Sequence, residues 1–175
     1  MAASGTGIDH EVVVIGAGFS GIGTAAELER NGFRDYLIVD QAEGFGGTWY
    51  WNRYPGIAVD IPSFSYQYSF AKRSDWSRSY APGSELRAYA EACAAELGLA
   101  ERTRFGTTIS SADFDEDEHL WRLETADGET LVARHLIDAS GVLTVPKAPD
   151  IPGIDEFAGT TVHTARWDPE LDLSG

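Results

Sequence analysis

The run Glu11–Ile15 (EVVVI) passes straight into Gly16-Ala-Gly18-Phe-Ser-Gly21, and this junction constrains the fold more than any other stretch of the chain. A run dominated by β-branched residues, without polar alternation, reads as a strand covered on both faces. A helix is expected from about Phe19 to Arg30, stopped at Asn31-Gly32, where glycine accepts the left-handed conformation that ends helices. Tyr36–Val39 reads as a second strand that closes on Asp40. Strand, glycine turn, helix and strand within about 30 residues make a right-handed parallel βαβ unit.

Each glycine of the turn has a mechanical reason. Gly16 permits the tight turn, Gly18 lets backbone approach a pyrophosphate, and Gly21 lets the helix pack closely on the strand. Phosphates then meet the helix N-terminus at Phe19 and Ser20, where free N–H groups and the positive end of the dipole converge. Asp40 follows at the spacing of a ribose-binding acid, with Gln41 beside it, and its carboxylate repels a 2′-phosphate. The first site therefore suits FAD or NAD better than NADP.

Eleven of the twenty aromatic residues fall between Phe45 and Tyr80, among Gly, Pro, Ser and Arg and without a clean period. A long irregular segment in a compact domain is more often functional than idle. A helix is expected over Ser84–Leu97, with Leu86, Tyr89, Cys93 and Leu97 on one stripe and Gly98 as its stop. Beyond it the pattern predicts strands at Phe105–Ile109, His119–Thr125 and Thr130–Asp138, the last two joined by an Asp127-Gly128 turn. The prolines at 146, 149 and 152 read as a connection leaving the domain. The fold class is thus α/β: a Rossmann-like parallel sheet with an inserted β-meander.

A net charge of −15 argues against nucleic acid or an anionic membrane as partner, because a phosphate footprint needs clustered Lys and Arg. One cysteine, Cys93, leaves no internal disulfide, and Met1–Asp9 lacks the basic and apolar regions of a signal peptide. No apolar run approaches the roughly 20 residues of a membrane helix. A soluble cytoplasmic protein is the expectation. Asp113, Asp115, Asp117 and Glu124 have the spacing of a calcium loop, but Glu118 stands where the sharp turn needs glycine, so a solvated acidic turn is expected. Gly18-Phe-Ser20-Gly-Ile22 lacks the second glycine of a nucleophile elbow. His10, His119, His135 and His163 show no metal-ligand spacing with one another or with Cys93, and no metal is expected.

Two further motifs carry a resemblance. Gly46-Gly47-Thr48-Trp49-Tyr-Trp51-Asn-Arg53-Tyr54-Pro55-Gly56, with Val59-Asp60 after it, resembles the flavin-flanking segment of the Baeyer–Villiger monooxygenases. Phe157-Ala-Gly159-Thr-Thr-Val-His163-Thr-Ala-Arg-Trp167-Asp168 is similar to that family's F-x-G-x-x-x-H-x-x-x-W-D fingerprint. Read without the family, the same stretch is a capped loop before a helix, with His163 a satisfied surface histidine.

The resemblance implies FAD at the first site, with Gly47, Thr48 and Trp49 along it and Tyr66 and the backbone at Ile109 touching the flavin nucleotide. It places Asp60 near the flavin and nicotinamide as a catalytic residue paired with an arginine. Ile137-Asp138-Ala139-Ser140-Gly141 resembles the motif with which these flavoproteins leave their first domain, and puts Gly141 near the cofactor. The implied chemistry is NADPH- and O2-dependent: NADPH reduces FAD, oxygen adds to form a C4a-peroxyflavin, and a ketone becomes an ester or lactone. Two readings stand beside it: a flavin-containing monooxygenase acting on nitrogen or sulfur, and a non-catalytic flavin-binding fragment or half of a split enzyme. The expected organisation is a flexible tail over 1–9, the first part of an FAD-binding domain over 10–145, and a linker over 146–175 leading toward an NADPH domain. Because the chain holds one G-x-G-x-x-G, most of the NADPH site is expected in a further C-terminal part or a partner chain, and the 175-residue chain alone is expected to be inactive.

Overall fold

The computed structural model describes residues 7–172. Most of the expected tail (residues 1–6) and the last three residues of the Asp172–Gly175 stretch lie outside the described residues. Among the described residues, six strands form one sheet: β1 (His10–Ile15), β2 (Tyr36–Val39), β3 (Thr103–Arg104), β4 (Ile109–Asp115), β5 (Leu120–Thr125) and β6 (Thr130–Asp138), in spatial order β3-β2-β1-β6-β5-β4. Three α-helices accompany them among the described residues: α1 (Phe19–Arg30), α2 (Thr48–Trp51) and α3 (Gly83–Glu96). Among the described residues, no helix is long and apolar enough to cross a membrane.

β1 pairs in parallel with β2 on one side and β6 on the other. Its alternating side chains feed two cores, as its unbroken apolar run implies. Val12 and Val14 join Ile22 and Ala25 of α1 and Tyr89, Ala90 and Cys93 of α3 on one face. Val13 points the other way, into a layer with Val39, Leu123, Leu131 and Ala133. β6 serves both halves of the sheet: Thr130–Ala133 pair antiparallel with β5, while Ala133–Asp138 run parallel to β1. The β-meander is therefore continuous with the Rossmann-like half, and the end of β6 arrives beside the glycine turn.

The strand expected at Phe105–Ile109 lies elsewhere. Pairing with β2 covers Thr103 and Arg104 only, and Ile109 begins β4. The backbone between them leaves the ladder because Gly106 N–H donates to Ala42 O (3.0 Å) and Thr107 N–H to Asp40 O (3.0 Å), both in the loop after β2. Gly106 has φ +63°, and the Phe105 ring packs against Phe45 with centroids 5.0 Å apart. The acidic stretch holds the expected exposed turn, here between the antiparallel β4 and β5: Asp115 accepts the Asp117 and Glu118 N–H groups at 3.1 and 3.0 Å.

The aromatic-rich segment is irregular apart from the single turn of α2, yet it is tightly bonded. Tyr68 donates to Phe19 O at 2.6 Å, and Tyr89 of α3 donates to Ala71 O and accepts from Tyr68 N–H, each at 2.8 Å. Burial pushes the Tyr68 and Tyr89 phenols well above the usual tyrosine range. Both are neutral in the folded state. Their contribution to stability is full below the unfolded tyrosine value of about 10 and is lost as pH rises past it. The urea midpoint is expected to fall between about pH 8.5 and pH 10.5, and to fall less in Tyr68→Phe. Equal slopes in the two proteins would show that Tyr68 does not contribute to this pH dependence.

Candidate cofactor site

The C-terminal ends of β1 and β6 meet the start of α1, and a cavity of about 390 Å³ opens between them. Its floor is the glycine turn. Gly16 has φ +109°, and a Cβ there would meet the Ala139 backbone, so glycine is required where the ends of β1 and β6 touch. A Cβ at Gly21 would overlap the Gly16 carbonyl oxygen, which explains the third glycine as helix-on-turn packing. Gly18 has a role that the motif alone does not disclose. Its Cβ position lies 3.2 Å from Gly47 Cα, so the two glycines let the segment before α2 lie directly on the turn. Gly47 itself has φ +55°.

Gly18 caps α1 without a side-chain bond. Gly18, Phe19 and Ser20 line the cavity, so the start of α1, whose first N–H groups no capping side chain satisfies, forms part of its wall and suits an anion. Asp40 holds the opposite wall: Oδ2 accepts from Ala17 N–H at 2.6 Å and Oδ1 from Ala42 N–H at 2.8 Å. Each carboxylate oxygen can accept two hydrogen bonds and here accepts one, so both retain a lone pair after fixing the loop.

Twelve of the expected contacts line this one cavity. They are Gly16, Gly18, Phe19, Ser20, Asp40 and Gln41 from the βαβ unit, Gly47, Thr48, Trp49 and Tyr66 from the aromatic segment, Ile109 from the start of β4 and Gly141 from the loop after β6. Gly21 stands behind the turn. Trp49 and Tyr66 are locked together, Nε1 donating to the phenol oxygen at 3.1 Å. Thr107, Thr108, Thr144 and Val145 also line the cavity and escaped sequence reasoning. They follow β3 or β6 in loops and carry no local motif.

A second cavity, about 630 Å³, adjoins the first and shares Thr48, Trp49, Tyr66 and Val145 with it. Asp60 and His163 both line it, although about a hundred residues separate them. Asp60 is exposed, and its carboxylate has no hydrogen bond or ion pair among the described residues. His163 caps a 3-10 turn over Thr164–Arg166, its Nδ1 accepting from Ala165 N–H at 3.1 Å. The neutral ring therefore carries its proton on Nε2. His163 is at once the local cap that the plain reading anticipates and part of a cavity wall.

The other fingerprint residues line neither of these cavities. Phe157 and Gly159 form a local pair, because a Cβ at 159 would lie 2.5 Å from the Phe157 ring. Trp167 is half-buried. At the end of β6, Asp138 accepts from Ser140 N–H at 2.9 Å, and the Ser140 hydroxyl and amide hold its carboxyl below the usual carboxylate range. Among the described residues, no group of three or more His, Cys, Asp or Glu side chains could hold a metal ion.

Residues 14–80 match the NAD(P)-binding Rossmann-like domain family. The chain is 43% identical over 164 residues to a Baeyer–Villiger monooxygenase of Streptomyces coelicolor, covering 94% of this chain and 31% of that protein. It is 43% identical over 169 residues to the phenazine N-monooxygenase PhzNO1 of Lysobacter antibioticus, with the same coverage. Among solved structures it superposes on cyclohexanone monooxygenase from Rhodococcus sp. Phi1 bound to NADP+, with TM-score 0.87 and 39% identity over 97% of this chain and 33% of that one. It superposes on the OTEMO complex with FAD and NADP with TM-score 0.86 and 34% identity, over 95% and 32% of the two chains. The chain spans about a third of the length of these relatives.

Proposed function

We propose that this chain, a homologue of the Baeyer–Villiger and related flavin monooxygenases across about a third of their length, forms the FAD-binding portion of such an enzyme. The observation that carries the reading is the cavity at the ends of β1 and β6. It combines an uncapped helix N-terminus, a carboxylate with free lone pairs and a glycine-on-glycine contact. These are the parts that a pyrophosphate and an adenosine ribose require.

FAD fits the residues present. The pyrophosphate would lie over Gly16–Ser20, the adenosine ribose on Asp40 with Gln41 beside it, and the chain from ribitol to flavin along Gly47, Thr48 and Trp49 toward Tyr66. Ile109 and Gly141 would bring backbone to the same cavity. When bound, FAD supplies the redox chemistry, taking hydride from NADPH and enabling transfer of one oxygen atom from O2. The protein's part is to bind, orient and keep the site dry.

The second cavity is the place for nicotinamide and substrate. Asp60 offers an unpartnered carboxylate there, suited to hold an arginine side chain that approaches the flavin. His163 presents a neutral ring whose Nε2–H can donate. Residues 10–145 would constitute the first part of the FAD domain and 146–175 the connection toward the NADPH-binding part, whether that lies in the same polypeptide or a partner chain. The substrate class is a ketone or sulfide, with the ketone preferred because of Trp167 and the Trp49–Tyr54 segment. The name of the Lysobacter relative keeps nitrogen oxygenation as the competing reading.

Purified chain is expected to show the two-banded visible absorption of oxidised flavin, and heat release should yield FAD rather than FMN. A colourless chain that remains colourless after incubation with FAD would overturn the reading. Asp60→Ala is expected to keep FAD affinity within about twofold, because Asp60 lines the second cavity and not the first. A tenfold loss in that variant would move Asp60 into the FAD site itself.

A further inference from the structure

The linker that leaves β6 forms part of the wall of both cavities, yet burial does not hold it. Val142 is 90% exposed, Leu143 60% and Val145 74%. Two side chains from distant segments grip its backbone instead. Asn52, just after α2, donates from Nδ2 to Leu143 O at 3.1 Å and to Thr48 O at 2.9 Å. Arg166, in the turn after His163, donates from Nη1 to Thr144 O at 2.9 Å and to Ala165 O at 2.7 Å. The same guanidinium lies over the Trp51 ring, 4.0 Å from its centroid.

We propose that Arg166 is a positioning residue that locks Trp51 and the linker carbonyl at Thr144 into the wall of the FAD cavity. Cofactor affinity then depends on a residue of the H-x-x-x-W-D segment that lines neither of the two cavities described above. The chemistry favours arginine. A planar guanidinium stacks its face on an indole while donating in its own plane to two carbonyls, which a lysine ammonium cannot do with one geometry. Trp51 and Thr144 both line the first cavity, and Ala165 lines the second, so this one side chain joins the walls of both.

The inference rests on the FAD reading above, and its test separates the two. FAD is titrated into the chain and into Arg166→Met, Arg166→Lys, Trp51→Leu and the Met/Leu double variant. Arg166→Met and Trp51→Leu are each expected to weaken FAD about tenfold, with Arg166→Lys between them and the unaltered chain. Because the two side chains act through one contact, the double variant is expected to lose little more than either single one, rather than about a hundredfold. Fluorotryptophan incorporation gives a readout without FAD. The Trp51 fluorine resonance, assigned by its disappearance in Trp51→Leu, is expected to shift in Arg166→Met. Unaltered FAD affinity in Arg166→Met, multiplicative losses, or an unmoved Trp51 resonance would each overturn the clamp. If Arg166→Met loses its circular dichroism, Arg166→Lys carries the same comparison. If the unaltered chain takes no FAD, the functional reading fails and the fluorine shift alone decides the clamp.

Discussion

Gly21→Ala is expected to cost about 3 kcal/mol of folding stability. The added carbon would overlap the Gly16 carbonyl oxygen and lie 3.0 Å from its carbonyl carbon. Neither atom is the free end of a flexible side chain. Relief requires α1 to move off the strand, and with it the Ile22 and Ala25 contacts to Val12 and Val14. For a domain stabilised by about 5–15 kcal/mol, a loss of this size is a large fraction of the total. Urea denaturation should show a midpoint lower by about 1.5 M with little change in slope. A shift below about 0.3 M would mean that the turn tolerates a methyl, and that the third glycine is there for another reason.

Gly18→Val is expected to weaken FAD binding by at least about a hundredfold, or roughly 2.7 kcal/mol. The first added carbon already stands 3.2 Å from Gly47 Cα, and the two branches must point into the cavity or into the Gly47 backbone. The first choice fills the space proposed for the pyrophosphate, and the second parts the glycine turn from the segment that carries Thr48 and Trp49. Flavin fluorescence titration measures the loss, and Gly18→Ala, which adds only the first carbon, should fall between the two. Wild-type affinity in the valine variant would show that FAD, if bound, does not cross the turn at Gly18.

Much of this site could be read along the chain because its parts are local. β1, α1 and β2 announce themselves by an apolar run, a glycine spacing and a second apolar run, and the bounds of α1 and β2 fall where the pattern places them. Asp40 could be placed because ribose acids close the second strand. The misplaced strand at Phe105–Ile109 had the opposite character. Two residues of parallel pairing at Thr103–Arg104 are too few to generate a periodicity, and the apolar Phe105 that drew attention packs on Phe45 instead. The contact between Gly18 and Gly47 was invisible for a related reason, since nothing in either motif specifies that they touch. Thr107 and Thr108 reach the cavity through a loop placed by backbone bonds to other loops, and Thr144 through side-chain bonds from Asn52 and Arg166 to the linker, long-range outcomes with no residue-type signal. The fingerprint divides in the same way. Its Phe157–Gly159 half is a local pair, while His163 earns its cavity position only through the fold.

On the proposed function, the βαβ cavity is an FAD site and not a nicotinamide site. Calorimetric titration of flavin-free chain with FAD and, separately, with NADPH tests it most directly. Saturable binding of FAD at one site per chain is expected, with NADPH at least about a hundredfold weaker because the Asp40 carboxylate opposes its 2′-phosphate. Tighter binding of NADPH than of FAD, or no saturable binding of FAD, would contradict it.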